Sequence, residues 1–105
     1  MKQLSETEYL ATMEEPMNRQ SSEANVPFAF WDYFDAIPLS DFDNHDCSAG
    51  SVTHVWEQPS GRYQHVLVDT EDKNVFMVLV LDVPSRSVLG HRLLDLNREY
   101  GLSRA

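Results

Sequence analysis

Three of the four histidines, His54, His65 and His91, fall in segments that read as strands, and Tyr63 stands close to them in the chain. Imidazoles bind transition metals and carry protons, and a phenol adds a donor and acceptor. A face holding all four would be a ligand or metal pocket. The spacing argues against one shared ion. His65 and His91 lie on strands two apart, roughly 10 Å between backbones. A partly buried histidine with a local hydrogen bond is the commoner use of each.

Other sets are weaker. Asp41, Asp43, His45 and Asp46 invite a calcium reading. The sixth loop position is Asp46 rather than Gly, and the twelfth is Val52 rather than Glu, so the EF-hand pattern fails. The single cysteine, Cys47, has His45 two residues away, but the surrounding acids raise a thiol pKa instead of lowering it. Asp82 with Tyr63 reads more naturally as a contact at the sheet end than as an acid–base pair. No P-loop, GxGxxG, GxSxG or HExxH sequence occurs. The expectation is therefore no catalytic residue, no metal and no cofactor.

The elements that place these residues follow from periodicity. Val52–Glu57, residues 63–70, residues 75–83 and residues 87–92 read as four strands joined by short turns, which makes an antiparallel meander. If each hairpin closes symmetrically, Trp56 faces His65, His54 faces Leu67, His65 faces Val80 and Leu67 faces Val78. The last hairpin then sets Val80 opposite His91 and Asp82 opposite Leu89.

One sheet face carries Val55, Val66, Val68, Met77, Leu79, Leu81 and Val88 and is the expected core face. The other mixes His54, Trp56, Tyr63, His65, Leu67, Phe76, Val78, Val80, Asp82, Leu89 and His91. A one-residue slip would exchange the faces.

Helices flank the sheet. Ser5 and Glu8 form a capping box for a helix over residues 5–15, with Leu4 and Tyr9 as a hydrophobic staple. Tyr9, Leu10, Met13 and Met17 share one face of it, and Pro16 ends it. Residues 18–26 read as a loop. Phe30, Tyr33, Phe34 and Ile37 mark a short aromatic helix between Pro27 and Pro38. Six of the eleven aromatic residues lie between 28 and 42, so this segment must cover the sheet or a second subunit. Residues 40–51 read as a loop, and residues 93–101 as a C-terminal helix with Gly101 at its cap.

The expected fold is α+β, one domain over residues 1–105. Residues 1–50 are helical, acidic and aromatic-rich, residues 52–92 form the antiparallel sheet, and residues 93–101 are the last helix.

The sheet half also resembles, through Tyr63, His65–Val68, Val80–Asp82 and Gly90–Leu102, the C-terminal part of uncharacterised short bacterial hypothetical proteins. Some of these are encoded on mobile integron gene cassettes. YLATMEEPM and WDYFDAIP extend the likeness to most of the chain. The resemblance implies one compact domain in a bacterial cytoplasm and no activity that can be assigned to residues.

Charge bounds the partners. The chain has 105 residues and a net charge of −9. Residues 1–50 hold two basic against ten acidic residues, a net of −8, and the remainder is almost neutral. That sign repels nucleic acid and anionic membrane. The lone thiol fits a reducing, cytoplasmic setting. The leading expectation is a non-enzymatic interaction module. It homodimerises through Trp56, Leu67, Phe76, Val78 and Val80, and takes any basic protein partner through the acidic half. The alternative is a small-ligand or metal-binding pocket at His54, Tyr63, His65 and His91.

Overall fold

The computed structural model describes residues 2–13, 18–20, 26, 28–46 and 50–96. The architecture is α+β. Strands β2 (Val52–Glu57), β3 (Tyr63–Asp69), β4 (Val75–Asp82) and β5 (Ser87–Asp95) form an antiparallel meander. A three-residue strand, β1 (Asn18–Gln20), extends it in the order β1-β2-β3-β4-β5. Among the described residues, two short helices, α1 (Glu6–Ala11) and α2 (Trp31–Ala36), and a 3-10 turn (Leu39–Phe42) pack around the sheet. Among the described residues, no helix is long and apolar enough to cross a membrane.

The first two hairpins close in the expected register, with Trp56 opposite His65, His54 opposite Leu67, and His65 opposite Val80. In the last one, Leu81 pairs with Val88 and Val80 with Gly90, which leaves Leu89 as an extra residue in a bulge. One inserted residue moves every later side chain to the other face. His91 therefore lies opposite Leu79 on the core face. The expected pairings of Val80 with His91 and of Asp82 with Leu89 are corrected accordingly, since Asp82 meets Ser87.

The expected core face exists. Val66, Val68, Met77, Leu79 and Leu81 are buried beneath Phe30, Phe34, Ile37 and Phe42. The aromatic segment thus covers its own sheet. Burying rings of this size supplies roughly 1.5–3 kcal/mol apiece, which holds a six-residue helix that would not persist alone.

The opposite face is covered too. Leu4 and Tyr9 pack on Leu67, Phe76, Val78, Val80 and Leu94. The Ser5–Glu8 capping box starts α1 as expected. The Lys2 ammonium, with the Ser5 amide, holds the Glu8 carboxyl down at about 2. The buried side of α1 is Tyr9 with Thr12, whereas Leu10 and Met13 are 53% and 42% exposed, contrary to the expected stripe.

Two further expectations change. Residues 18–20 pair with Glu57, Trp56 and Val55 because the edge of β2 offers free backbone groups, a signal that side-chain pattern does not carry. Leu93, Leu94 and Asp95 continue β5 opposite Met77, Phe76 and Val75 instead of opening a helix. Residues 97–101 of the expected C-terminal helix, Met17 and Cys47 lie outside the described residues.

Candidate functional site

The histidines separate into three unrelated environments. His65 is buried on the mixed face, with its ring 5.0 Å from that of Tyr9. Thr12 Oγ1 lies 2.7 Å from the Tyr9 carbonyl and 2.7 Å from His65 Nε2. A hydroxyl has one hydrogen, which goes to the carbonyl, so His65 Nε2–H donates to Thr12. Burial holds the His65 imidazole down at about 4. His54 is half-buried, stacked on Trp56 and edge-on to Phe76. Tyr63 sits at the sheet end opposite Asp82, with the Arg62 guanidinium over its ring.

His91 is only 1% exposed and bridges two elements on the core face. Its Nε2 lies 2.7 Å from Asp41 Oδ2 and its Nδ1 2.7 Å from the Tyr33 hydroxyl. A carboxylate only accepts, so Nε2–H donates to Asp41; a neutral imidazole then accepts the Tyr33 hydrogen at Nδ1, and the same hydroxyl lies 3.4 Å from the Lys2 carbonyl. The Lys2 backbone N–H donates to the same phenol at 3.3 Å. Burial pushes the Tyr33 phenol above its ordinary range, and the Asp41 charge adds to this. An aspartate, a histidine and a hydroxyl in series resemble a nucleophile relay. Here the imidazole is sealed beneath the 3-10 turn, and no member of the series lines the described depression. The arrangement ties the N-terminal strap (Lys2–Leu4), α2 and the 3-10 turn to β5.

The proposed ligand set of His54, Tyr63, His65 and His91 is therefore not brought together. The bulge at Leu89 sends His91 to the far side of the sheet. Among the described residues, no group of three or more metal-ligating side chains converges. The dimer residues Leu67, Phe76, Val78 and Val80 are buried by the chain's own strap and α1, so no second copy is needed to cover them. Trp56 remains half-buried at the edge of that cluster.

A different place is open. Phe34, Ile37, Leu39 and Phe42 line a solvent-facing depression of about 420 Å³, with Asp35 and Asp46 at its margin. Leu39 is 87% exposed. Pro38 precedes the 3-10 turn, and the left-handed Asp43 and Asn44 end it, residue types that accept positive φ at low cost. The wall beyond is pinned to the β3–β4 turn. The Glu71 N–H donates to the Asp46 carbonyl at 2.9 Å, the Asp46 N–H donates to the Glu71 carboxylate, and His45 Nδ1 lies 3.6 Å from Glu71 Oε1. No lysine or arginine is among the described residues that line it.

Sequence reasoning marked this segment as aromatic and acidic but read residues 40–51 as a plain loop. The sequence signal for it is a leucine between a proline and three aspartates, Pro38-Leu39 before Asp41, Asp43 and Asp46. Comparison with protein-family models, with curated proteins and with solved structures gives no match, so the site is read from its own geometry.

Proposed function

We propose that this protein is a non-enzymatic interaction module that binds a basic protein partner through the acidic surface of α2 and the 3-10 turn. The observation that carries the reading is the position of Leu39. A large aliphatic side chain stands almost fully in solvent, beside exposed Asp35, Asp43 and Asp46. Apolar area ringed by one sign of charge is the pattern of a recognition surface. The histidines that chemistry would need are sealed or scattered, so binding is favoured over catalysis.

The test is amide chemical-shift mapping while polylysine is added at low and at physiological salt. Shifts confined to residues 30–46, weakened by salt and lost on reversing Asp35 and Asp43 to lysine, are expected. Shifts spread over the sheet strands, or none at all, would refute the reading.

A further inference from the structure

We infer that the depression between α2 and the 3-10 turn is an anchor pocket for a basic peptide segment. The segment inserts one large apolar side chain between Phe34, Ile37, Leu39 and Phe42 and sets its cations against Asp35 and Asp46. This rests on the reading of the acidic surface as a docking face and adds the recognition rule.

The lining supplies both halves of that rule. Four apolar side chains face one concavity, and a volume of about 420 Å³ admits an aromatic or leucine side chain with part of its backbone. The polar groups of the lining are the Asp35 and Asp46 carboxylates with Asn44 and His45, the last turned toward Glu71, and no lysine or arginine is among the described lining residues. An anionic anchor would meet the like charge of the exposed Asp35. A cation beside an apolar group satisfies both at once, and snorkelling lysine or arginine stems add apolar cover of their own.

Rigidity supports a formed pocket. Asp41, between Leu39 and Phe42, is held by His91, itself fixed to Tyr33 on the helix that carries Phe34. The far wall is bonded to the β3–β4 turn through Asp46 and Glu71. A partner therefore meets a shape that is already built, which lowers the ordering cost of binding. The depression is open on its solvent side, which suits a side chain projecting from a peptide better than a ligand that must be enclosed.

The experiment uses the full chain and three synthetic peptides of equal length: lysines around a central tryptophan, lysines around a central alanine, and glutamates around a central tryptophan. Binding is followed by calorimetry and by amide shifts. The lysine–tryptophan peptide is expected to bind at least about tenfold tighter than either control, with shifts at Asp35, Leu39 and Asn44. Leu39→Glu, at an exposed position that leaves the core intact, should remove that advantage.

If the lysine–alanine peptide binds as tightly, the pocket is overturned while the basic-partner reading stands. If the glutamate–tryptophan peptide binds as tightly, or no peptide binds, both fall. If tryptamine alone matches the lysine–tryptophan peptide, the depression is a small-ligand site and the peptide assignment is overturned. If light scattering shows a dimer that Leu39→Glu dissociates, the occupant is a second copy and the proposal fails.

Discussion

Gly90 and Leu4 meet so closely that a β-carbon on Gly90 would lie 2.7 Å from Leu4 Cγ and equally close to the Lys2 carbonyl. This approach lets the strap Lys2–Leu4 run beside β5, where the His91 N–H donates to the Lys2 carbonyl and the Leu4 N–H donates to the His91 carbonyl. The strap in turn delivers Leu4 and α1 to the mixed face. Gly90 is thus the position at which the cover of that face is decided.

Gly90→Ala is expected to lift the strap while the meander persists. Overpacking against backbone costs about 1–3 kcal/mol. Hydrogen exchange checks this. Protection of the Leu4 and His91 amides should fall, while that of Val66 and Leu79 in the sheet should follow global stability alone. An alanine variant with unchanged exchange at Leu4 would refute the account.

His65 makes stability depend on pH. Its folded-state pKa lies at about 4, below the ordinary 6.5, so the unfolded chain binds the proton more readily. Stability from this group is complete above 6.5 and is lost as pH falls from 6.5 toward 4. The loss is worth about 3 kcal/mol. Urea unfolding of the wild type and of His65→Gln, compared across that window, isolates the effect from the carboxylates. The difference between the two curves should shrink toward acid pH.

The link from Asp41 through His91 to Tyr33 should behave as one unit. Asp41→Ala and Tyr33→Phe each leave a buried imidazole nitrogen without its partner, at a cost of about 1–3 kcal/mol. A double-mutant cycle by denaturant unfolding should give a coupling of at least about 0.5 kcal/mol. Strict additivity would mean that the two bonds are independent. The phenol of Tyr33 should ionise above pH 10, visible as a component of the alkaline absorbance titration that Tyr33→Phe removes.

Val80 tests how the mixed face is covered. It is fully buried under the chain's own Leu4 and Tyr9. Val80→Asp should therefore collapse folding of the single chain, seen as lost near-ultraviolet dichroism, because an unpaired buried carboxylate costs several kcal/mol. A folded Val80→Asp protein with altered mass would instead place this residue between two copies.

Much of this was legible from neighbours in sequence. The Ser5–Glu8 capping box, the spacing of Phe30, Phe34 and Ile37, the bounds of β2, β3 and β4 and the registers of the first two hairpins rest on local periodicity and turn length. Side chains three or four apart on a helix, or two apart on a strand, cannot choose their face independently. The acidity of the first 50 residues was equally plain, since charge needs no fold to be counted.

The last hairpin was a different case. In Val88–Leu89–Gly90–His91 either register turns an apolar residue inward, so alternation cannot tell a regular ladder from a bulge. Tertiary packing settled it: the strap needs a residue without a β-carbon opposite Val80, and His91 finds Asp41 and Tyr33 only on the far side. Those partners lie 50 and 58 positions away in the chain. The same holds for the depression. Sequence alone determined that its residues are aromatic and acidic, and only the folded chain decided that Leu39 stands outside the core while Phe34 and Phe42 enter it. Burial is a competition among all apolar side chains for a limited sheet face, and that competition ends only in three dimensions.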